Sequence, residues 1–185
     1  MSKSLKTIQV FAKIGKILSK IVFICCIVGA AFCLVALVAV AMGVTGAMEF
    51  GGINIHGLIE ENAGISVNSM YALMVVGVVA CVCEGIVAKF AEVYFEHELA
   101  AGTPFTFDGA REMLRLGIIA AAVSLGGNVV ISIIREIMSY AMTGVQELSV
   151  EIGTSVGIGV AFIIVSFICK YGAEQAEKYT DIVFH

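Results

Sequence analysis

Residues 21–44 read IVFICCIVGAAFCLVALVAVAMGV and carry no formal charge, and this run decides the fold. It lies within a gap of 28 uncharged residues between Lys20 and Glu49. A helix needs about 20 mostly apolar residues to cross roughly 30 Å of hydrocarbon. Barrel strands are about half as long and alternate in polarity, which this run does not. Lipid offers no partner to open backbone groups, so the segment must close its own hydrogen bonds as a helix. Thr45 and Ala47 imitate the small residues of a signal-peptide cleavage site. The apolar part of such a peptide is about 7–15 residues long, however, so the run is read as a retained span.

Working outward, the same gap recurs. There are 22 uncharged residues between Glu61 and Glu84, 19 between Arg115 and Arg135, and 18 between Glu151 and Lys170. These predict four transmembrane helices near 21–44, 66–88, 116–136 and 151–170, an all-α four-helix bundle forming a single integral membrane domain over 1–185. The composition agrees. The chain has 185 residues, 59% hydrophobic and 14% charged, where a soluble domain carries about 25% charged residues. Its mean hydropathy is +1.00. A soluble enzyme of this length could not cover so much apolar side chain. Disorder requires low hydrophobicity. A net charge of -4 lacks the basic face that nucleic acid demands.

Ten of the eleven basic residues fall on one side of this layout. Lys3, Lys6, Lys13, Lys16 and Lys20 precede the first span. Lys89, Arg111 and Arg115 separate the second and third, and Lys170 and Lys178 follow the fourth. Arg135 stands on the other side with Glu49, Glu60, Glu61, Glu136, Glu147 and Glu151. By the positive-inside rule both termini are cytoplasmic. Leu5, Ile8, Phe11, Ile14 and Leu18 interleave with the first five lysines. This pattern predicts an N-terminal amphipathic helix along the inner leaflet, or a plain topology signal. Residues 45–65 and 137–150 form outer loops, the first held close to the membrane by Ile53, Ile55, Leu58 and Ile59.

Residues 89–101 contain no helix breaker, so the second helix is expected to continue into the cytoplasm as far as Ala100. Gly102 fits the position that ends a helix. Pro104 fits a first helical turn, and Thr106 or Asp108 can cap the next helix. Phe105 and Phe107 are candidate interfacial anchors.

Gly102-Thr103-Pro104-Phe105-Thr106, then Ala110 and Arg115-Leu116-Gly117-Ile118, resembles the inner-loop signature of the bacterial membrane family called domain of unknown function 2975. Tyr171-Gly172-Ala173-Glu174 and Glu177 resemble a second signature after the fourth span. The likeness covers most of the chain and implies four spans. It departs from the family pattern at Gly109, where Asn is common, and at Gln175-Ala176, where Leu-Gln is common. The family supplies no established activity. Its members often accompany small helix-turn-helix regulators, which implies regulation or self-protection.

Several residues are candidates for function. Glu84 lies inside the second span, about 6 Å from its inner end, on a small face with Gly77, Cys81, Ala88 and Ala91. Intramembrane carboxylates mark function by default. The competing reading is an ion pair with Lys16, Lys20, Lys89 or Lys170. In the third span Gly117, Ala121, Ser124, Asn128, Ser132, Arg135 and Ser139 form a small and polar stripe opposite Ile119, Val123, Val130, Ile134 and Ile137. The stripe is either a pore or interhelical glue. Gly153, Gly157 and Ala161 recur at intervals of four, permitting close approach of a helix from the same chain or another copy. Six cysteines sit in spans without a C-x-x-C, and neither outer disulfides nor a metal site is expected. His56, His97 and His185 are scattered. Neither a catalytic constellation nor a cofactor motif is legible.

The expectation is therefore a non-enzymatic binding protein in regulation or immunity to a membrane-active peptide. Its partners would be the lipid bilayer, an unidentified peptide or protein, or a second copy. The alternatives are a small oligomeric channel or transporter using the third-span stripe, and an intramembrane enzyme around Glu84.

Overall fold

The computed structural model describes residues 3–42, 49–50, 53–54, 67–103, 105–142 and 156–184. Four long helices account for most of them: α1 (Lys3–Ala41), α2 (Val67–Ala101), α3 (Phe107–Ala141) and α4 (Val156–Phe184). All four are long and apolar enough to cross a membrane, and the chain is an integral membrane protein with four spans. The expected start of the fourth span, 151–155, lies outside the described residues, as do Pro104 and Gly153.

The helices outrun the predicted spans at their charged ends. Helix α2 runs unbroken through residues 89–101 and ends at Ala101, as expected from the absence of a breaker there. Helix α4 continues from Lys170 to Phe184 through a stretch rich in Ala, Glu and Lys, residues with high helix propensity. Helix α1 corrects an expectation. It is one helix of 39 residues, about 58 Å long at 1.5 Å per residue, not a surface helix followed by a span. No residue between Lys3 and Ala41 breaks it, and its N-terminal half is held by packing. Ala12 is buried. A Cβ placed on Gly15 would lie 2.6 Å from Phe95 Cζ, so the ring occupies the space glycine leaves.

A second finding was not expected. Within the segment read as the first outer loop, β1 (Glu49–Phe50) and β2 (Ile53–Asn54) pair antiparallel, Glu49 opposite Asn54 and Phe50 opposite Ile53. The residues between them are Gly51 and Gly52, a composition that suits two-residue hairpin connections. Ile55, Leu58 and Ile59, expected to hold this loop to the membrane, lie outside the described residues.

The chain divides into two compact units. The first comprises Met1–Cys25, Cys83–Gly126 and Gly153–His185. Its core is Tyr94 from α2, Ala110, Met113 and Leu116 from α3, and Cys169 from α4, flanked by Phe90, Phe95 and Phe162. Helices α3 and α4 meet closely there. A Cβ on Gly117 would come 2.8 Å from the Gly159 carbonyl oxygen, and one on Gly159 would come 2.7 Å from the Ala121 amide nitrogen. With Gly15 against Phe95, segments of all four helices pack as a bundle in this unit.

The second unit comprises Cys26–Val82 and Gly127–Ile152. Here α1 and α2 exchange glycine for cysteine: Gly29 faces Cys81 Sγ and Gly77 faces Cys33 Sγ, each at 3.1 Å from an ideal Cβ. Ser69, Ala72 and Val76 of α2, Ala36 of α1 and Ile131 of α3 are buried. In both units large apolar side chains face outward, among them Val28, Leu125, Val129, Ile133, Ile164 and Phe167. Such a surface would be an aggregation hazard in water, and in hydrocarbon it carries no penalty.

Candidate functional site

The richest chemistry in the first unit lies where α2 ends and α3 begins. Gly102 stops α2 with φ +77°, a conformation that glycine reaches without a steric penalty. Its amide donates to the Glu98 carbonyl at 3.0 Å, closing the last turn as expected of a C′ residue. Gln9 Nε2 of α1 donates to the Gly102 carbonyl at 3.3 Å and ties the turn down. Thr103 Oγ1 accepts from the Phe105 amide at 3.3 Å. Of the two expected caps, Thr106 is the one used: its Oγ1 accepts from the Gly109 amide at 3.0 Å, satisfying an N–H that has no intrahelical partner.

This short turn returns α3 antiparallel to the end of α2 and brings four ionisable side chains together. His97 Nδ1 lies 2.6 Å from Glu112 Oε1. Nδ1 is the donor of this contact in the tautomer that carries its proton there. The Tyr94 hydroxyl hydrogen-bonds the Glu98 carboxylate, and both groups are desolvated. Burial raises the Glu98 carboxyl above the ordinary range, with the Tyr94 hydrogen bond opposing. Burial and the Glu98 charge raise the Tyr94 hydroxyl strongly. The Arg115 guanidinium sits 5.5 Å from the centre of the Phe90 ring, a contact worth about 0.5–1 kcal/mol when exposed.

Two adjoining clefts run along this hairpin. One, of about 580 Å³, is lined by His97, Glu98, Ala100, Ala101, Thr103, Thr106, Asp108, Gly109, Arg111, Glu112 and Arg115. The other, of about 180 Å³, is lined by Lys89, Phe90, Val93, Tyr94, His97, Glu112, Arg115 and Leu116. His97, Glu112 and Arg115 belong to both. The walls thus grade from apolar at Phe90, Val93 and Leu116 to charged at Arg111 and Glu98. Lys16 with Glu96 at 3.2 Å and Lys89 with Glu92 at 2.8 Å border the same end.

The residues singled out from the sequence are distributed differently. Glu84 is half-buried and is not without a partner. Two of the lysines considered for it, Lys16 and Lys89, pair with Glu96 and Glu92. Cys81 and Gly77 do pack inward, against α1. The α3 stripe does not form one buried face. Gly117 and Ser124 are buried, Asn128 and Arg135 are half-buried, and Ser132 and Ser139 are exposed. The buried row runs instead through Leu116, Ala120, Ser124, Gly127 and Ile131. At about 100° per residue the stripe is centred roughly 80° round the helix from the buried row, and the two meet at Ser124. In α4 the close approach uses Gly159, while Gly157 and Ala161 point outward. Of the residues in the turn between α2 and α3, Thr103 is half-buried, and Phe105 covers Gly172.

Sequence reading missed His97 and Glu112 as a pair, and Tyr94 with Glu98. The available signal was symmetry about the turn. His97 stands five residues before Gly102 and Glu112 six after Thr106, so an antiparallel hairpin sets them level. Among the described residues, no three His, Cys, Asp or Glu side chains gather in a metal-ligating group. Compared with known proteins, the chain matches no family model, no curated protein and no solved structure.

Proposed function

We propose that this chain is a multi-pass protein of the bacterial cytoplasmic membrane, with both termini inside, that acts by binding and not by catalysis. Its role on this reading is regulatory or protective, in line with the resemblance to domain of unknown function 2975. The observation that supports it best is the cleft of about 580 Å³, within the roughly 300–1,000 Å³ range of small-ligand sites. That cleft is built on the Gly102–Thr106 turn, one of the two segments that carry the resemblance. The other segment meets it, because Phe105 packs on Gly172. The test is a dose series of membrane-active peptides on cells with and without the chain. Protection lost in Glu112→Gln supports the reading, and an unchanged dose response overturns the protective role.

A second reading is a small oligomeric channel or transporter. The exposure of Ser132 and Ser139 on α3 and of Gly157 on α4 favours it, since these faces are available to another copy. Ion flux from proteoliposomes that is abolished by Ser132→Leu would establish this reading over the first.

A further inference from the structure

The two adjoining clefts have a chemical gradient that the proposed binding role does not by itself explain. Their upper wall is apolar, with Phe90, Val93 and Leu116. Their lower wall carries Arg111, Arg115, Glu98 and Glu112. Arg111 and Arg115 are four residues apart, hence on one face of α3, and Arg111 lies about 6 Å beyond Arg115 along the axis. Arg115 also closes the uncharged run that ends at Arg135, so it marks the hydrocarbon boundary. A step of 6 Å from that boundary spans the headgroup layer, which adds roughly 5–7 Å to each side of the bilayer core. The groove therefore starts at acyl-chain depth and ends at headgroup depth.

Its charges balance. Lys89, Arg111 and Arg115 line the two clefts together with Glu98, Asp108 and Glu112, Lys89 being paired with Glu92 at their edge. An anion site would show an excess of cations, and here three basic residues meet three acidic ones. Arginine forks bind phosphate oxygens, while carboxylates accept from an ammonium group. Arg111 is not committed elsewhere in the fold, since its 3.9 Å approach to Asp108 is an exposed i,i+3 contact, of little energetic weight.

We propose that this groove is a binding site for one zwitterionic aminophospholipid. The phosphate lies against Arg111 and Arg115, the ammonium against Glu98 and Glu112, and an acyl chain runs past Phe90 and Val93. The proposal rests on the reading that this cleft is the protein's binding site, and names its ligand class.

The test is native mass spectrometry of the full chain, released from nanodiscs of equimolar phosphatidylethanolamine and phosphatidylglycerol in a phosphatidylcholine background. One phosphatidylethanolamine per chain is the expected retained species. Arg111→Gln with Arg115→Gln should lower its retention at least tenfold. Glu112→Gln should reverse the preference toward phosphatidylglycerol. Thermal unfolding of each variant, compared with the parent, separates lost binding from lost fold, and Arg111→Gln alone leaves the Arg115–Phe90 contact intact. Equal or greater retention of phosphatidylglycerol by the parent, or retention of neither lipid, overturns the proposal. Either result leaves the peptide-protection measurement standing, so failure of the ligand class is distinguishable from failure of the binding role.

Discussion

The ring of Phe105 covers Gly172: a Cβ at position 172 would lie 2.6 Å from Phe105 Cδ1. This joins the turn between α2 and α3 to the middle of α4, residues 67 positions apart. The ring is 43% exposed and can swing aside. Gly172→Ala should therefore cost little, because the strain is relieved by one side chain and alanine gains about 0.5–1 kcal/mol of helix propensity. Gly159→Ala is different, since the added carbon meets the Ala121 amide nitrogen and the Gly117 carbonyl oxygen. Backbone cannot yield so readily, and overpacking of this kind costs about 1–3 kcal/mol. Thermal unfolding in detergent should rank Gly159→Ala well below Gly172→Ala. Equal losses would contradict the close α3–α4 contact.

Gly102 should resist substitution for a conformational reason. Its φ of +77° costs an L-residue roughly 1–2 kcal/mol. Gly102→Val should lower the unfolding temperature clearly, and Gly102→Asn should lower it less, since Asn tolerates this region better. Equal effects of Asn and Val would show that the side chain's contacts, not the backbone angle, set the cost.

Stability should depend on pH through Glu98 and Glu92 in opposite directions. Burial raises the Glu98 carboxyl. The unfolded chain ionises there first, near about pH 4.3, so stability is lost as pH climbs from that value through the folded one. The Lys89 hydrogen bond lowers the Glu92 carboxyl. Its contribution is present above the ordinary range and lost as pH falls through the folded value. Glu98→Gln should abolish the loss on the rising side and leave the acid limb unchanged. Unfolding temperatures between about pH 3 and pH 7 would show both limbs, and an unaltered rising limb would refute it.

Ten of the eleven basic residues fall in the first unit and Arg135 in the second. With native cysteines replaced by Ala or Ser, a Cys at position 108 should be shielded from an impermeant thiol reagent in intact cells. A Cys at position 52 should react. The reverse pattern would invert the orientation and place the α2–α3 cleft on the outer face.

Four spans were legible in the sequence because the hydrocarbon core sets a minimum length and excludes charge, and charge is visible residue by residue. Runs between Lys20 and Glu49 or Arg115 and Arg135 leave few other structures possible. The end of α2 at Gly102 and the cap at Thr106 were legible as well, because they depend on local backbone chemistry. Which face of each helix is buried was not. Gly159 and Gly157 are the same residue type two positions apart, and only the path of α3 selects the first. Ser132 was grouped with Ser124 by spacing, yet eight residues at about 100° each set them roughly 80° apart around the helix, and only the packing of the neighbouring helices decides which end of that arc is covered. The pairing of His97 with Glu112, and of Phe105 with Gly172, depends on how helices fold back on each other. That is decided by the packing of whole surfaces, not by any stretch of chain read alone.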